Sequence, residues 1–431
     1  MNVQPASAYS EVERAIAARC CVVLDGGIAT ELPHQYGQDH ERLWGMEALF
    51  SAPDEVLDVH RRYVEAGVDV ITTNTWALPA LLEDESGGRP ESQPPVHWME
   101  IARRGVRVAR DAIAECGREG GVAVAFALNG DLDGPDAPET VALLARTLAG
   151  DPPDLFLLET LSVLTPSLFD VVSALLATGL PVWLSFRRCR HGLCGVYGQH
   201  WGGPEGDAFG RAARRFEEMG VGALLVNCIP PDHVDGMVSY LRDFTDIPLG
   251  VYPNLGYYTN AGWQTETEIR GSEYAEMALR WRAEGAQIIG GCCGTRPEHI
   301  GAACEALADT PPGRERHEER ATNRGRGGAG GTESMPAWSD RRGRALHPLQ
   351  FPSLVRLPGV SAPIPGSYLM WRYLFEHNTG AHQRCLDIGS GLGLQTVQLA
   401  LNGATHVHAI DLDKRAVARL SRNPSRCEGQ L

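Results

Sequence analysis

Lysine is almost missing from this chain: of 39 basic residues only Lys414 is a lysine. Phosphate recognition has no reason to exclude lysine so completely, so the bias reads as coding composition rather than function. Positive charge is in deficit altogether, with a formal net charge of -15. Proteins that hold nucleic acid need basic surface to displace counterions, so nucleic acid is excluded as the main partner. Long apolar runs are also missing, and no segment approaches the length of a membrane span. The amino end, Met1-Asn2-Val3-Gln4-Pro5-Ala6-Ser7, lacks the basic start and apolar core of a secretory leader. The expectation is a cytoplasmic protein with no membrane partner. A disulfide framework is lacking too: 11 cysteines, an odd number, are scattered through 431 residues, which fits free thiols in a reducing compartment. Most, such as Cys116 and Cys304, read as buried small hydrophobes.

What is present is an ordinary soluble balance, 43% hydrophobic and 22% charged, on a chain long enough for two or three domains or one barrel with an appendage. Up to about residue 308, β-rich apolar runs alternate with amphipathic stretches. Eight strands are expected: Cys21 to Gly27, Val68 to Asn74, Val122 to Asn129, Leu155 to Thr160, Val182 to Phe186, Ala223 to Cys228, Pro248 to Asn254, and Gln287 to Cys293. Runs such as Leu155-Phe156-Leu157-Leu158 suit parallel strands buried on both faces, and eight with intervening helices predict an α/β (β/α)8 barrel of the TIM type. Helix-Gly-strand punctuation at Gly67, Gly220 and Gly285 marks α-to-β connections. The last of these helices is expected over Ser272 to Glu284, with Ser272 as its cap and Glu273 and Glu276 near its positive end.

Residues 309–345 dissolve into Arg, Gly, Glu and Pro. The Arg324-Gly325-Arg326-Gly327-Gly328 tract is interleaved with Glu315, Glu318, Glu319 and Glu333, which reads as a solvated linker rather than an RNA-binding segment. In 346–431, Asp387-Ile388-Gly389-Ser390-Gly391-Leu392-Gly393 leads into a helical stretch, and a second strand, Thr405 to Ile410, ends in Asp411. That is the opening half of a nucleotide-binding α/β unit. An open doubly wound sheet takes about six strands, so this Rossmann-like segment is expected to be truncated and without independent activity.

The chemistry-bearing feature is the turn Gly290-Gly291-Cys292-Cys293-Gly294-Thr295, with Asn227-Cys228 earlier in the chain. Adjacent cysteines in a turn have poor geometry for pairing with each other, yet both can reach one ion. Structural zinc modules offer four ligands; three cysteines, Cys228, Cys292 and Cys293, leave a position open, as in a catalytic zinc centre. Polar residues fall at the expected strand ends, where barrel enzymes place active groups: Asp25, Thr73, Asn74, Glu159, Asn227, Cys228, Asn254, Cys292 and Cys293.

At these positions the sequence resembles the homocysteine S-methyltransferase family, whose members use a zinc-bearing barrel. The matching motifs are Asp25-Gly26-Gly27 with Thr30-Glu31-Leu32, Thr72-Thr73-Asn74-Thr75, Glu159-Thr160, Val226-Asn227-Cys228, Tyr252-Pro253-Asn254 and the Gly290 to Thr295 turn, in the family's order. The resemblance implies zinc-dependent methyl transfer to the thiol of homocysteine, giving methionine. Thiol ligation to zinc would make the acceptor a thiolate, and three cysteine sulfurs would leave it nucleophilic. Glu159 is the candidate for the substrate ammonium, assisted by Asp25. Backbone N–H groups near Gly26 and Gly27, with Thr73, are candidates for the carboxylate, and Asn227 is a further substrate-binding candidate, with loop support as its other reading along with Asn254. Family members acting on betaine resemble one another in an aromatic residue after this glutamate; here Thr160 stands there, which points to a sulfonium donor, S-methylmethionine or S-adenosylmethionine. Trp44 and Trp76 are either cation-π walls or rim packing. The last segment resembles class I S-adenosylmethionine-dependent methyltransferases, with Asp387, Gly389, Gly391 and Asp411 as ligand-binding candidates. Two other readings share these residues: a methyltransferase for another thiol or selenol, and a non-catalytic zinc- or S-adenosylmethionine-binding regulator. The sequence specifies no oligomeric state.

Overall fold

Every side chain of Leu155-Phe156-Leu157-Leu158 is buried, and because successive side chains of a strand point to opposite faces, this segment needs cover on both. The computed structural model provides it. It describes residues 7–36, 42–79, 98–130, 132, 137–161, 164, 166–189, 192–194, 200–202, 208–255, 257–259, 262–264, 269–313, 338–339, 345–346, 367, 370–371, 373–374, 377–391 and 393–414. Eight parallel strands form one sheet: β1 (Val22–Val23), β2 (Val70–Thr72), β3 (Ala123–Asn129), β4 (Leu155–Leu161), β5 (Val182–Phe186), β6 (Ala223–Asn227), β7 (Leu249–Tyr252) and β8 (Ile288–Ile289). Each pairs with its sequence neighbour, β8 also pairs with β1, and a parallel bridge from Leu24 to Val70 closes the ring. The closing bonds run from the Asp25 N–H to the Val70 carbonyl (3.1 Å) and from the Asp69 N–H to the Val23 carbonyl (2.8 Å).

The two faces form two cores. Inside the ring, Val22, Leu24, Val70, Ala123, Ala125, Leu155, Leu157, Trp183, Ala223, Leu225, Tyr252 and Ile288 pack together. Small alanines stand beside Leu157 and Trp183, as a closed barrel requires if its interior is to be filled without strain. The amino-terminal helix α1 (Ala8–Ala17) joins this interior through Ala8, Tyr9 and Val12, and the Trp183 indole N–H donates to the Tyr9 hydroxyl at 3.1 Å. Outside the ring, Val23, Ile71, Phe126, Phe156, Leu158, Phe186, Val226, Val251 and Ile289 pack in the cluster that includes the surrounding helices.

Those helices follow the strands in turn: α2 (Pro53–Glu65), α3 (Trp98–Glu115), α4 (Ala137–Leu148), α5 (Pro166–Leu176), α6 (Ala208–Met219), α7 (Met237–Arg242), α8 (Gly271–Glu284) and α9 (Pro297–Leu307). The punctuating glycines after α2, α6 and α8 all adopt positive φ, 104° at Gly67, 94° at Gly220 and 112° at Gly285, a region closed to most side chains. One helix start differs from expectation. Ser272 lies inside α8; the cap is Arg270, whose backbone N–H is taken by the Glu273 carboxylate at 2.7 Å. The acid three positions on outcompetes the serine because it reaches back to the cap residue's own donor.

Residues 314–337, most of the expected linker, lie outside the described residues. In the last segment, β9 (Arg384–Ile388) and β10 (His406–Ile410) pair in parallel around helix α10 (Leu394–Leu401). This is the expected βαβ unit, and Leu386 and Ile388 on β9 are exposed.

Candidate metal and substrate site

The carboxyl ends of β6 and β8 bring three sulfurs together. The Sγ atoms of Cys228, Cys292 and Cys293 all lie within 4.8 Å of one another, and those of Cys292 and Cys293 are 3.8 Å apart. The edge of a tetrahedron of ligands with zinc–sulfur bonds of about 2.3 Å is also about 3.8 Å, so this spacing suits zinc and is too long for a disulfide. Cys228 accepts hydrogen bonds from the Cys292 and Cys293 thiols, and with Arg187 nearby these hold its thiol well below the usual range against the opposing effect of burial. Donating those bonds pushes Cys292 and Cys293 up. An S3 donor set of this kind favours a borderline-soft ion such as zinc.

The turn that carries Cys292 and Cys293 is fixed from every side. Its Gly291 N–H donates to the Asp25 carbonyl (2.8 Å), the Cys292 N–H to Pro253 (2.8 Å), and the Gly294 N–H to the Thr30 hydroxyl (2.9 Å). The Tyr63 hydroxyl and the Gly27 N–H both donate to the Thr295 carbonyl, at 2.8 and 3.1 Å. Gly26 and Gly27 are needed for this approach: a Cβ at Gly26 would stand 2.6 Å from the Thr295 carbonyl oxygen, and one at Gly27 would stand 2.6 Å from that of Cys292. The structure therefore revises the reading of Gly27, whose N–H is committed to Thr295 rather than open to a substrate carboxylate.

Two carboxyls face the same mouth. The Asp25 carboxylate accepts the Thr72 backbone N–H (2.7 Å) and the Thr72 hydroxyl (3.0 and 3.1 Å to its two oxygens). Burial pushes Asp25 well above the ordinary carboxylate range; the Thr72 bonds oppose the rise and the charge of Glu159 adds to it. Glu159, at the end of β4, accepts the Tyr252 hydroxyl at 2.9 Å. Burial pushes it up to about 8, the Tyr252 bond pulling down and Cys228 pushing further up.

Thr160 and Cys228 have positive φ, 61° and 52°. For a β-branched threonine this is strained backbone, at about 1–3 kcal/mol, and it must be held by its surroundings. Asn227 holds it. Its amide nitrogen donates to the Thr160 hydroxyl (3.1 Å) while its oxygen accepts the Thr160 N–H (3.3 Å) and the Ser185 hydroxyl (2.8 Å). The Trp76 indole also donates to the Thr160 hydroxyl at 3.2 Å. Asn227 thus holds the Thr160 turn that follows Glu159. Thr73 turns away: its hydroxyl meets that of Thr75 (2.6 Å) and accepts the Ala127 N–H (3.1 Å). Its neighbour Thr72, not singled out in the sequence, is the partner of Asp25, because alternation along β2 puts adjacent residues on opposite faces. Trp44 and Trp76 meet edge to face with ring centroids 5.7 Å apart.

Comparison with known proteins decides the family. The model for homocysteine S-methyltransferase matches residues 22–307, about two thirds of the chain. The chain belongs to the homocysteine S-methyltransferase family. Its relatives include Homocysteine S-methyltransferase 4 of Zea mays, 28% identical over 315 residues that cover 67% of this chain and 90% of the relative. Homocysteine S-methyltransferase 1 of Arabidopsis thaliana is 25% identical over 321 residues, covering 67% and 93%. Among solved structures, the metallated form of the homocysteine methyltransferase MmuM from Escherichia coli superposes with a TM-score of 0.51 at 24% identity, over 68% of this chain and 98% of that one, and so shares the fold. The family model leaves residues 308–431 of this family member unmatched.

Sequence reasoning missed Thr72, Tyr252, Ser185 and Arg187. Tyr252 lay within a motif but was given no role of its own, and only its inward position on β7 would have paired it with Glu159. Arg187 directly follows β5; it is buried, and thiolates at Cys228, Cys292, Cys194 and Cys293 would counter the fall that burial imposes on it.

In the last segment, Gly389, Gly391 and Gly393 all have positive φ, as the loop's tight path requires. Asp411 accepts the Gly391 N–H (2.7 Å) and the Asp413 N–H (2.8 Å), and Asp387 accepts the Thr396 hydroxyl. Both acids have partners within the chain, Asp411 on the loop itself.

Proposed function

We propose that the barrel transfers a methyl group from a sulfonium donor, S-methylmethionine or S-adenosylmethionine, to the sulfur of homocysteine, giving methionine. The observation that carries this reading is the convergence of Cys228, Cys292 and Cys293 beside the buried Asp25 and the part-buried Glu159 carboxyls. Zinc held by the three cysteines would supply a Lewis acid that favours the thiolate form of the acceptor at neutral pH.

The chain's own residues orient the reactants. Glu159 is held by Tyr252 in surroundings where its charge is costly, so it gains most when an ammonium arrives to pair with it. Asp25, fixed by Thr72, stands at the same mouth, where an arriving ammonium would favour its charged form. Arg187 offsets the charge of the sulfur cluster. As the acceptor sulfur's lone pair forms its bond to the methyl carbon, the donor's carbon–sulfur bond breaks, its electrons stay on the donor sulfur, and a neutral thioether leaves. Trp44 and Trp76 provide aromatic faces toward which a sulfonium is drawn. Thr160, held by Trp76 and Asn227, occupies the place after Glu159 where an aromatic cage for betaine would be completed.

We read residues 1–308 as the catalytic unit, 309–345 as a connector and 346–431 as an S-adenosylmethionine-binding unit. The test is a donor panel. Homocysteine is incubated separately with S-methylmethionine, S-adenosylmethionine and betaine, and methionine is measured. Methionine from a sulfonium is expected; methionine from betaine alone would contradict the proposal.

A further inference from the structure

A second group of soft donors stands close to the first and is not used by the proposed reaction. Beyond β5 the chain makes an antiparallel hairpin in which Arg188 pairs with Leu193 and Cys189 with Gly192. The Cys194 N–H donates to the Arg187 carbonyl at 3.1 Å, continuing the ladder. In this register Cys189 and Cys194 are diagonal neighbours on one face, a relation close enough for their side chains to meet. His233, from the short helical turn Pro231–Val234 after β6, approaches that face. Its Nδ1 is 3.6 Å from the Cys194 Sγ, and ligand atoms of Cys189, Cys194 and His233 all lie within 4.8 Å of one another.

We propose that Cys189, Cys194 and His233 form a second zinc site, which staples the hairpin after β5 to the turn after β6. Two thiolates and a neutral imidazole match the donor preference of zinc, and two thiolate charges balance that of the ion. Neither cysteine is in a disulfide and both are buried, whereas the His233 side chain is 15% exposed, which leaves an entry path for the ion and a place for a water as fourth ligand. The ring presents Nδ1 to the Cys194 sulfur, while Nε2 lies on the side of the exposed Asp232 carboxylate, 3.9 Å from its nearer oxygen. On the other face of the hairpin, the Arg188 guanidinium lies over the Phe209 ring, 5.0 Å from its centroid, which anchors the strand from behind. Arg187, whose carbonyl accepts the Cys194 N–H, is within electrostatic reach of Cys194 and of all three cysteines of the first site. Occupancy of the second site would therefore fix the residue that balances charge at the first.

The inference is independent of the acceptor and donor, because it concerns metal content alone. Full-length protein is purified without oxygen, exchanged into cadmium, and measured by cadmium NMR beside elemental analysis. Two resonances and two equivalents of metal are expected, one from a three-sulfur and one from a two-sulfur, one-nitrogen environment. Cys189→Ser and His233→Ala should each remove the second resonance and one equivalent while the first persists, which also reports that the barrel is folded. One resonance and one equivalent in the unaltered protein, abolished by Cys228→Ser, would overturn the proposal.

Discussion

At the scale of single residues the site is a set of costly positions, each held by a neighbour. Thr160 and Cys228 sit at positive φ, and Asn227 ties down the first of them. Glu159 is lifted to about 8 by burial, above its unfolded value near 4.5. A group with a raised folded value contributes stability that is complete below the unfolded value and is lost as pH rises through the folded one. The contribution of Glu159 is thus full below about pH 4.5 and lost by about pH 8. Glu159→Gln should flatten the decline in denaturant midpoint of the metal-free protein across that interval; an unchanged pH dependence would remove Glu159 as its source. The same substitution takes away the partner proposed for the substrate ammonium. Losing a charged hydrogen bond corresponds to about 10- to 100-fold in homocysteine KM, with a smaller effect on kcat, read from steady-state kinetics. The cysteines were legible in the sequence because two adjacent thiols in a glycine turn have few other uses. Thr72 and Tyr252 were not: a threonine within a Thr-Thr pair and a tyrosine before proline acquire their roles only when strand parity shows which side chain faces inward.

At the scale of elements, all eight strands were legible because their apolar runs are continuous and bounded by glycine or proline. Their lengths were not. The expected Gln287 to Cys293 strand shrinks to Ile288–Ile289, since the following residues leave the ladder to build the cysteine turn, with donors going to Asp25, Pro253 and Thr30. The start of α8 was misplaced for a similar reason, as Glu273 rather than Ser272 satisfies the first turn. The interior filling makes a sharp prediction. Trp183 is fully buried among small neighbours such as Ala223, with its indole bonded to Tyr9 of α1. Trp183→Ala should cost about 3–5 kcal/mol in urea unfolding, through lost burial and the cavity left behind. A loss below about 1 kcal/mol would show that α1 does not close the barrel in solution.

At the scale of the whole molecule, one barrel gathers residues from six of its eight strand ends. Asp25 follows β1, Thr72 ends β2, Glu159 lies on β4, Asn227 and Cys228 close β6, Tyr252 ends β7, and Cys292 and Cys293 follow β8. Sequence distance hides this, since Asp25 and Cys292 are at opposite ends of the barrel's chain yet are joined through the Gly291 N–H. The ring closure between β1 and β2 and the β8–β1 pairing make them neighbours. Family membership fixes the class of chemistry, while the arrangement of thiols and carboxyls assigns its parts. The central claim, a catalytic zinc on Cys228, Cys292 and Cys293, is tested most directly by measuring bound zinc and methionine formation together in the unaltered chain and in Cys292→Ala. The account predicts that the substitution removes one equivalent of zinc and with it methyl transfer to homocysteine; a Cys292→Ala protein that has lost that zinc yet retains full activity would contradict it.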